Sequence, residues 1–285
     1  MREIHRDAKK RGRCLPAIFA PLLLILAASV PCSAGDVTLT SDSLSYDPAE
    51  RIVRAAGNVR LESPEGELFA DRGHGVVNGK DFEMSGNVRG NFRKEGIEIH
   101  CRSIDLRSEG EKPARRKLRA TGNVRLVRGE DRLLASNVSW ELGGDHYRAS
   151  GNVSANFSAY SIEADEAARD GEQFWAQGVR RYEDRVRKIV VKTSKARGVV
   201  RGKEVTELTA EGPVEVVMFD RNGKRTTVRG DKGVFSKERG SVVISGNARA
   251  DQDGRTLTAD SIVYHLDGGK IDALGRPSMV IEKTD

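Results

Sequence analysis

One short phrase recurs along most of this chain, and recurrence at such spacing constrains the fold more than any single residue does. Val53-Arg54-Ala55-Ala56-Gly57-Asn58-Val59-Arg60-Leu61 is echoed by Gly86-Asn87-Val88-Arg89, Gly122-Asn123-Val124-Arg125-Leu126, Gly151-Asn152-Val153-Ser154 and Gly246-Asn247-Ala248-Arg249. Looser copies stand at Gly178-Val179, Gly212-Pro213-Val214 and Gly275-Arg276-Pro277. The glycines fall at 57, 86, 122, 151, 178, 212, 246 and 275. Steps of about 30 residues mark an array of one supersecondary unit that buries its apolar face only against its neighbours.

A second phrase alternates with the first. It is clearest as Leu257-Thr258-Ala259-Asp260-Ser261-Ile262-Val263-Tyr264, and returns as Leu39-Thr40-Ser41-Asp42, Leu68-Phe69-Ala70-Asp71 and Ile162-Glu163-Ala164-Asp165. In the glycine phrase every second residue is apolar or small, as in Leu118, Ala120, Gly122, Val124 and Leu126. That period is a long strand with one buried face, and it predicts an inward-pointing glycine. In the aspartate phrase the period slips by one residue, which predicts a bulge or bend at the Asp. Turn residues such as Arg128-Gly129-Glu130-Asp131 and Gln252-Asp253-Gly254 lie between the phrases. Each unit therefore reads as a hairpin of two long antiparallel strands creased near the middle. The fold expected is all-β: a stack of about eight hairpins whose two leaves face each other with apolar sides.

Residues 1–34 stand apart. Six basic residues precede an apolar run from Leu15 to Val30 and small residues at Cys32 and Ala34, the layout of a secretory signal. An uncleaved anchor is the alternative. Residues 35–285 are read as one repeat domain, with two half-arrays meeting near the eroded units at 178–205. The charged stretches at 107–117 and 180–195 read as loops extending from hairpin ends.

The formal charge of +6 shrinks once the leader is set aside. The remainder carries 42 basic against 40 acidic residues, so a nucleic-acid partner loses its main support. Cys14 and Cys32 lie in the leader, which leaves Cys101 without an intramolecular disulfide partner. No His, Cys or carboxylate spacing matches a metal or nucleophile motif, and no cofactor is expected. Asp42, Asp71, Asp165, Asp231 and Asp260 recur at one place of the repeating unit, which suits bulge formers better than a catalytic set.

The alternating Gly-Asn-Val-Arg-Leu and Ala-Asp phrases, from Ser41 to Met279, resemble the OstA/LptA family of lipopolysaccharide-transport proteins. The resemblance implies an elongated OstA-like β-jellyroll in the periplasm and no enzymatic activity. It further implies lipid A acyl chains held between the leaves and edge strands that pair with like jellyroll proteins. Such a protein would bridge transport complexes of the inner and outer membranes. Candidate groove residues are Leu61, Phe82, Met84, Val88, Leu118, Val124, Leu126, Val153, Val214, Val216, Ile244 and Tyr264. Arg60, Arg89, Arg125 and Arg249 share one place in four units and form a candidate ladder for anionic headgroups. Two other readings stay open: an exported structural or adhesive array acting through its surface, and a β-helix polysaccharide lyase.

Overall fold

The computed structural model describes residues 37–281, except 64–65, 77–80, 94–95, 110–114, 143–145, 159, 186, 202–203 and 220–222. The leader expected at 1–34 lies outside the described residues. All regular elements described are strands. They begin with β1 (Thr38–Thr40), β2 (Ser43–Asp47), β3 (Ile52–Ser63), β4 (Gly66–Val76), β5 (Phe82–Phe92) and β6 (Ile97–Glu109). Next come β7 (Arg115–Arg128), β8 (Asp131–Leu142), β9 (His146–Asn156), β10 (Tyr160–Asp170), β11 (Gln173–Asp184) and β12 (Ile189–Arg201). The chain continues with β13 (Glu204–Phe219), β14 (Arg225–Ser236), β15 (Ser241–Gln252), β16 (Arg255–His265), β17 (Ile271–Leu274) and β18 (Ser278–Ile281).

From β3 to β16 each strand pairs antiparallel with its neighbours in sequence. β1 and β2 both pair with β3, and β17 and β18 both pair with β16, so a split strand closes each end. The sheet is a single meander, the all-β stack of creased hairpins expected. Charged residues do not all lie where they were expected. Arg180–Asp184 end β11 and Ile189–Lys195 begin β12, so only 185–188 lie between the two strands there. Likewise Arg107–Glu109 and Arg115–Lys117 lie in β6 and β7. Backbone pairing therefore continues through most of both charged stretches.

The crease differs from its sequence reading, and the difference has a stereochemical cause. On β7, three steps from Thr121 to Val124 face two steps from Asn137 to Ala135 on β8. The extra residue thus sits on the glycine strand, not at the Asp. Gly122 and Asn123 both adopt left-handed backbone (φ 79° and 52°), as do Gly57-Asn58, Gly86-Asn87, Gly151-Asn152 and Gly246-Asn247. Such φ values favour Gly first and Asn next, which explains the dipeptide.

A Cβ on these glycines would point not inward but into the side chain at the crease of the preceding strand. It would meet Asp42 at Gly57, Asp71 at Gly86, Arg102 at Gly122, Ser136 at Gly151 and Asp231 at Gly246. The neighbouring Asn then closes the crease. Asn58 Nδ2 donates to Asp42 Oδ2 at 2.8 Å, and Asn87 to Asp71 at 2.9 Å. Where Asn is replaced by Arg, Arg276 meets Asp260 at 2.7 Å, and Arg180, two residues beyond Gly178, meets Asp165.

The crease folds the sheet so that its two ends face each other. Phe92 ends β5 in the row with Ile97, whereas Trp140 lies in the opposite row with Leu118 and Tyr147. Their rings nevertheless meet edge-on, with centroids 6.3 Å apart. Apolar side chains between the leaves form two clusters, one from Ala55 to Val179 and one from Ile189 to Tyr264.

Candidate functional site

Register places one inward row along the first leaf: Ala55, Gly73, Met84, Ile104, Ala120, Val138, Ala149, Ala167, Ala176, Ala196, Ala210, Gly233, Ile244 and Ile262. Large residues fill the space in β5 and β6. From β9 to β14 only Ala and Gly occupy the row, and from β11 onward the two leaves leave a gap.

That gap is an apolar cavity of about 100 Å³. Ala176, Ala196, Ala210 and Gly233 line one wall and Val179, Val191, Val214 and Val216 the other. It lies where the two apolar clusters adjoin. Arg187, in the turn after β11, reaches across its mouth to the ring of Phe235 on the other leaf, 5.4 Å from the centroid. Arg187 Nη1 also lies 3.7 Å from Asp184 Oδ2. Burial lowers the Arg187 pKa, while Asp184 opposes that shift.

All twelve groove candidates sit on inward rows, but the cavity gathers only Val214, Val216 and Ile244. Met84, Val88, Leu118, Val124, Leu126 and Val153 are fully packed inside the first cluster, and Leu61 and Phe82 pack against it half-buried. Tyr264 belongs to the second cluster. Sequence reasoning missed the Ala row, because an alanine on an inward face looks the same whether its neighbours across the slot are large or small.

The four ladder arginines separate. Arg60, Arg89 and Arg125 lie in one outer row, alternating with Phe69 and His100. Within it Arg60 is held by Glu62 and Glu67 at 3.1 and 3.0 Å. Arg249 lies eight strands further along the sheet, on β15, beside Arg229, and bonds to Asp251. Among the described residues no carboxylate pairs with Arg89 or Arg125, which stand either side of His100, and Arg102 stands near Arg89 at the crease. Cys101 is a small inward residue whose thiol is pushed up to about 12 by burial, against a backbone hydrogen bond at Ser103. Among the described residues no group of His, Cys and carboxylates could hold a metal ion.

No curated protein matches the chain. The crystal structure of LptH, described as the LptA-homologous periplasmic component of the lipopolysaccharide transport device of Pseudomonas aeruginosa, is similar at 14% identity and a TM-score of 0.32. That alignment covers 54% of this chain and 95% of LptH. The sequence model of the family described as LptA/(LptD N-terminal domain) LPS transport protein matches residues 109–270. More than half of the chain is matched, and the protein belongs to the LptA/LptD N-terminal domain family of lipopolysaccharide-transport proteins.

Proposed function

We propose that this protein carries lipopolysaccharide by taking lipid A acyl chains into the slot between its leaves, and that it forms part of a bridge between the inner and outer membranes. The observation that carries the reading is the apolar gap along the Ala and Gly row. At about 100 Å³ the gap is smaller than the ~300–1,000 Å³ of ordinary ligand pockets, so the leaves must part to admit a chain. The pairing pattern makes this inexpensive. From β3 to β16 each strand bonds to its chain neighbours and not across the slot, so opening the slot disrupts apolar contacts and the Arg187–Phe235 stack but no ladder hydrogen bonds. Residues 1–34 act as the export leader in this reading, and residues 35–285 are the carrier, in the periplasm.

Both ends of the sheet suit edge pairing with like jellyroll proteins. β1 and β2 expose Leu44 and Tyr46, with Val37 just before them. β17 and β18 expose Leu274, Met279, Val280 and Ile281. Open edges with apolar side chains are templates for strand addition. On the outer face, Arg89 and Arg125 are the part of the basic ladder open to an anionic partner.

A photoreactive phenylalanine analogue tests the carrier reading in cells. Placed at Phe235, inside the slot, it forms an adduct with lipopolysaccharide; placed at Arg197, on the outer face of β12, it does not. Absence of the Phe235 adduct in protein that folds normally rejects slot binding.

A further inference from the structure

At one repeat position on an inward row a charged residue stands where every other unit has an apolar residue or glycine. Four residues beyond the crease position of each aspartate strand come Tyr46, Gly75, Leu106, Trp140, Arg169, Gly198, Phe235 and Tyr264. Register puts Arg169 between Tyr147 and Phe174 on this inward row. Phe174 also lines the cavity. The residue is only 9% exposed. Its Nε donates to the Gly171 carbonyl at 2.7 Å, while its Nη1 is buried with no hydrogen-bond partner.

Among the described residues no carboxylate pairs with Arg169: Asp131, which like Arg169 acts on Tyr160, lies 3.6 Å from Arg128. The adjacent Asp170 is engaged by His146 at 2.8 Å, and Glu172 lies 3.7 Å from Arg201. Tyr160, whose hydroxyl is pushed far up by burial, is close enough for the Arg169 charge to oppose that shift. A buried guanidinium without a carboxylate destabilises the free protein, because desolvation is not offset. Its planar fork matches the oxygens of a phosphoryl group.

We infer that Arg169 is an anion-binding residue of the slot, taking a phosphoryl group of the amphiphile whose chains enter the neighbouring cavity. The inference rests on the carrier reading and adds to it a headgroup contact, and hence a fixed orientation for the ligand. Chains lie toward Ala176, Ala196 and Ala210 while the phosphoryl group stays at the β10 side of the opening.

Affinities of the full chain for diphosphoryl lipid A and for its dephosphorylated form, both in detergent, test this. The intact protein is expected to prefer the diphosphoryl form by about tenfold or more, roughly one hydrogen-bonded charge pair. Arg169→Met is expected to abolish the preference, bringing the affinity for the diphosphoryl form down to that for the dephosphorylated form. It should also raise resistance to urea, since an unpaired buried charge is removed. Arg169→Lys keeps part of the preference and serves in its place should the Met variant fail to fold. Equal binding of both forms by the intact protein overturns the inference and leaves the carrier reading standing. Binding of neither form overturns the carrier reading as well. Displacement of the lipid by millimolar inorganic phosphate would assign the residue to free phosphate and overturn the amphiphile contact.

Discussion

The leaves between β3 and β8 and those between β11 and β15 are built from the same two phrases, yet only the second region is hollow. In the first, Met84, Ile104, Leu118 and Leu126 interlock and are almost wholly buried. In the second, Ala176, Ala196, Ala210 and Gly233 leave the walls apart. The crease is common to both, with the same left-handed Gly-Asn pair at Gly86 and Gly246. Backbone geometry therefore sets the V-shaped cross-section, and the size of one inward row decides whether the V is filled. A repeat protein can in this way vary a ligand slot along its length without altering its scaffold.

Matched truncations in the two regions give the largest expected contrast. Ile104 and Ile244 occupy the same row and are both buried. Ile104→Ala opens a new void in packed surroundings and should approach the upper part of the ~2–5 kcal/mol range for such changes. Ile244→Ala merely enlarges an existing gap, where the side chain already lacks neighbours on one side, so its loss should fall near the lower part. Urea unfolding of both variants measures the difference. Equal losses would mean that the hollow region is as tightly packed as the closed one.

Enlarging alanines reverses the comparison. Ala120→Leu forces extra methylenes between Ile104 and Val138 and should destabilise by about 1–3 kcal/mol. Ala210→Leu points into the cavity and should cost less than about 1 kcal/mol, since the volume is there to take it. The same variant should reduce co-purified lipopolysaccharide, read by mass spectrometry of extracted lipid.

The crease itself should respond alike in both regions. Gly86→Ala and Gly246→Ala each place a Cβ on left-handed backbone, at a cost of about 1–2 kcal/mol. Each also drives that Cβ to within 2.4–2.6 Å of an Asp carboxylate, which adds to the loss. Unequal unfolding midpoints would show that the crease is not the shared element of the two regions.

This crease also marks where the sequence was legible and where it misled. The hairpins, their number and their inward rows followed from period-two alternation, as at Leu118, Ala120, Val124 and Leu126. The bulge did not, because it hides inside that alternation. Four steps from Ala120 to Val124 keep the parity of a plain strand, while three steps from Val138 to Ala135 break it, so the partner without the insertion looked irregular. Charged residues misled for a related reason: Arg180 resembles a loop residue until its contact with Asp165 shows it in the place of the crease Asn. Arg169 was readable in principle, by aligning the eight inward positions that follow each crease. The hollow was not, since it depends on what stands across the slot from each alanine.

The outer faces supply the smallest contrast, and acid resolves it. Around β13 to β15, Glu215 accepts Arg229 Nε at 2.9 Å, and Asp251 accepts Arg229 Nη1 at 3.1 Å and Arg249 Nη2 at 2.8 Å. The hydrogen bond from Arg249 holds the Asp251 carboxyl below its usual 3.8, with Thr256 and Arg229 assisting against burial. Burial raises the Glu215 pKa, but Arg229 and Lys192 outweigh it and leave the group below its usual 4.5. Both pKa values are depressed by folding, so the stabilisation is complete above the unfolded values and is lost as the pH falls through the folded ones. Each exposed pair contributes about 0.2–1 kcal/mol. Amide protection factors in β13–β15, which divide out the intrinsic pH dependence of exchange, should therefore fall between pH 5 and pH 3, on the order of a few fold. At Arg89 and Arg125, which no such carboxylates hold, β5–β7 should change less. Asp251→Asn should remove part of the acid response while leaving exchange in β5–β7 as it was. A response that is uniform along the sheet, or unchanged in this variant, would show that the outer ion pairs do not distinguish the two regions and that the difference between them lies wholly in the interior row.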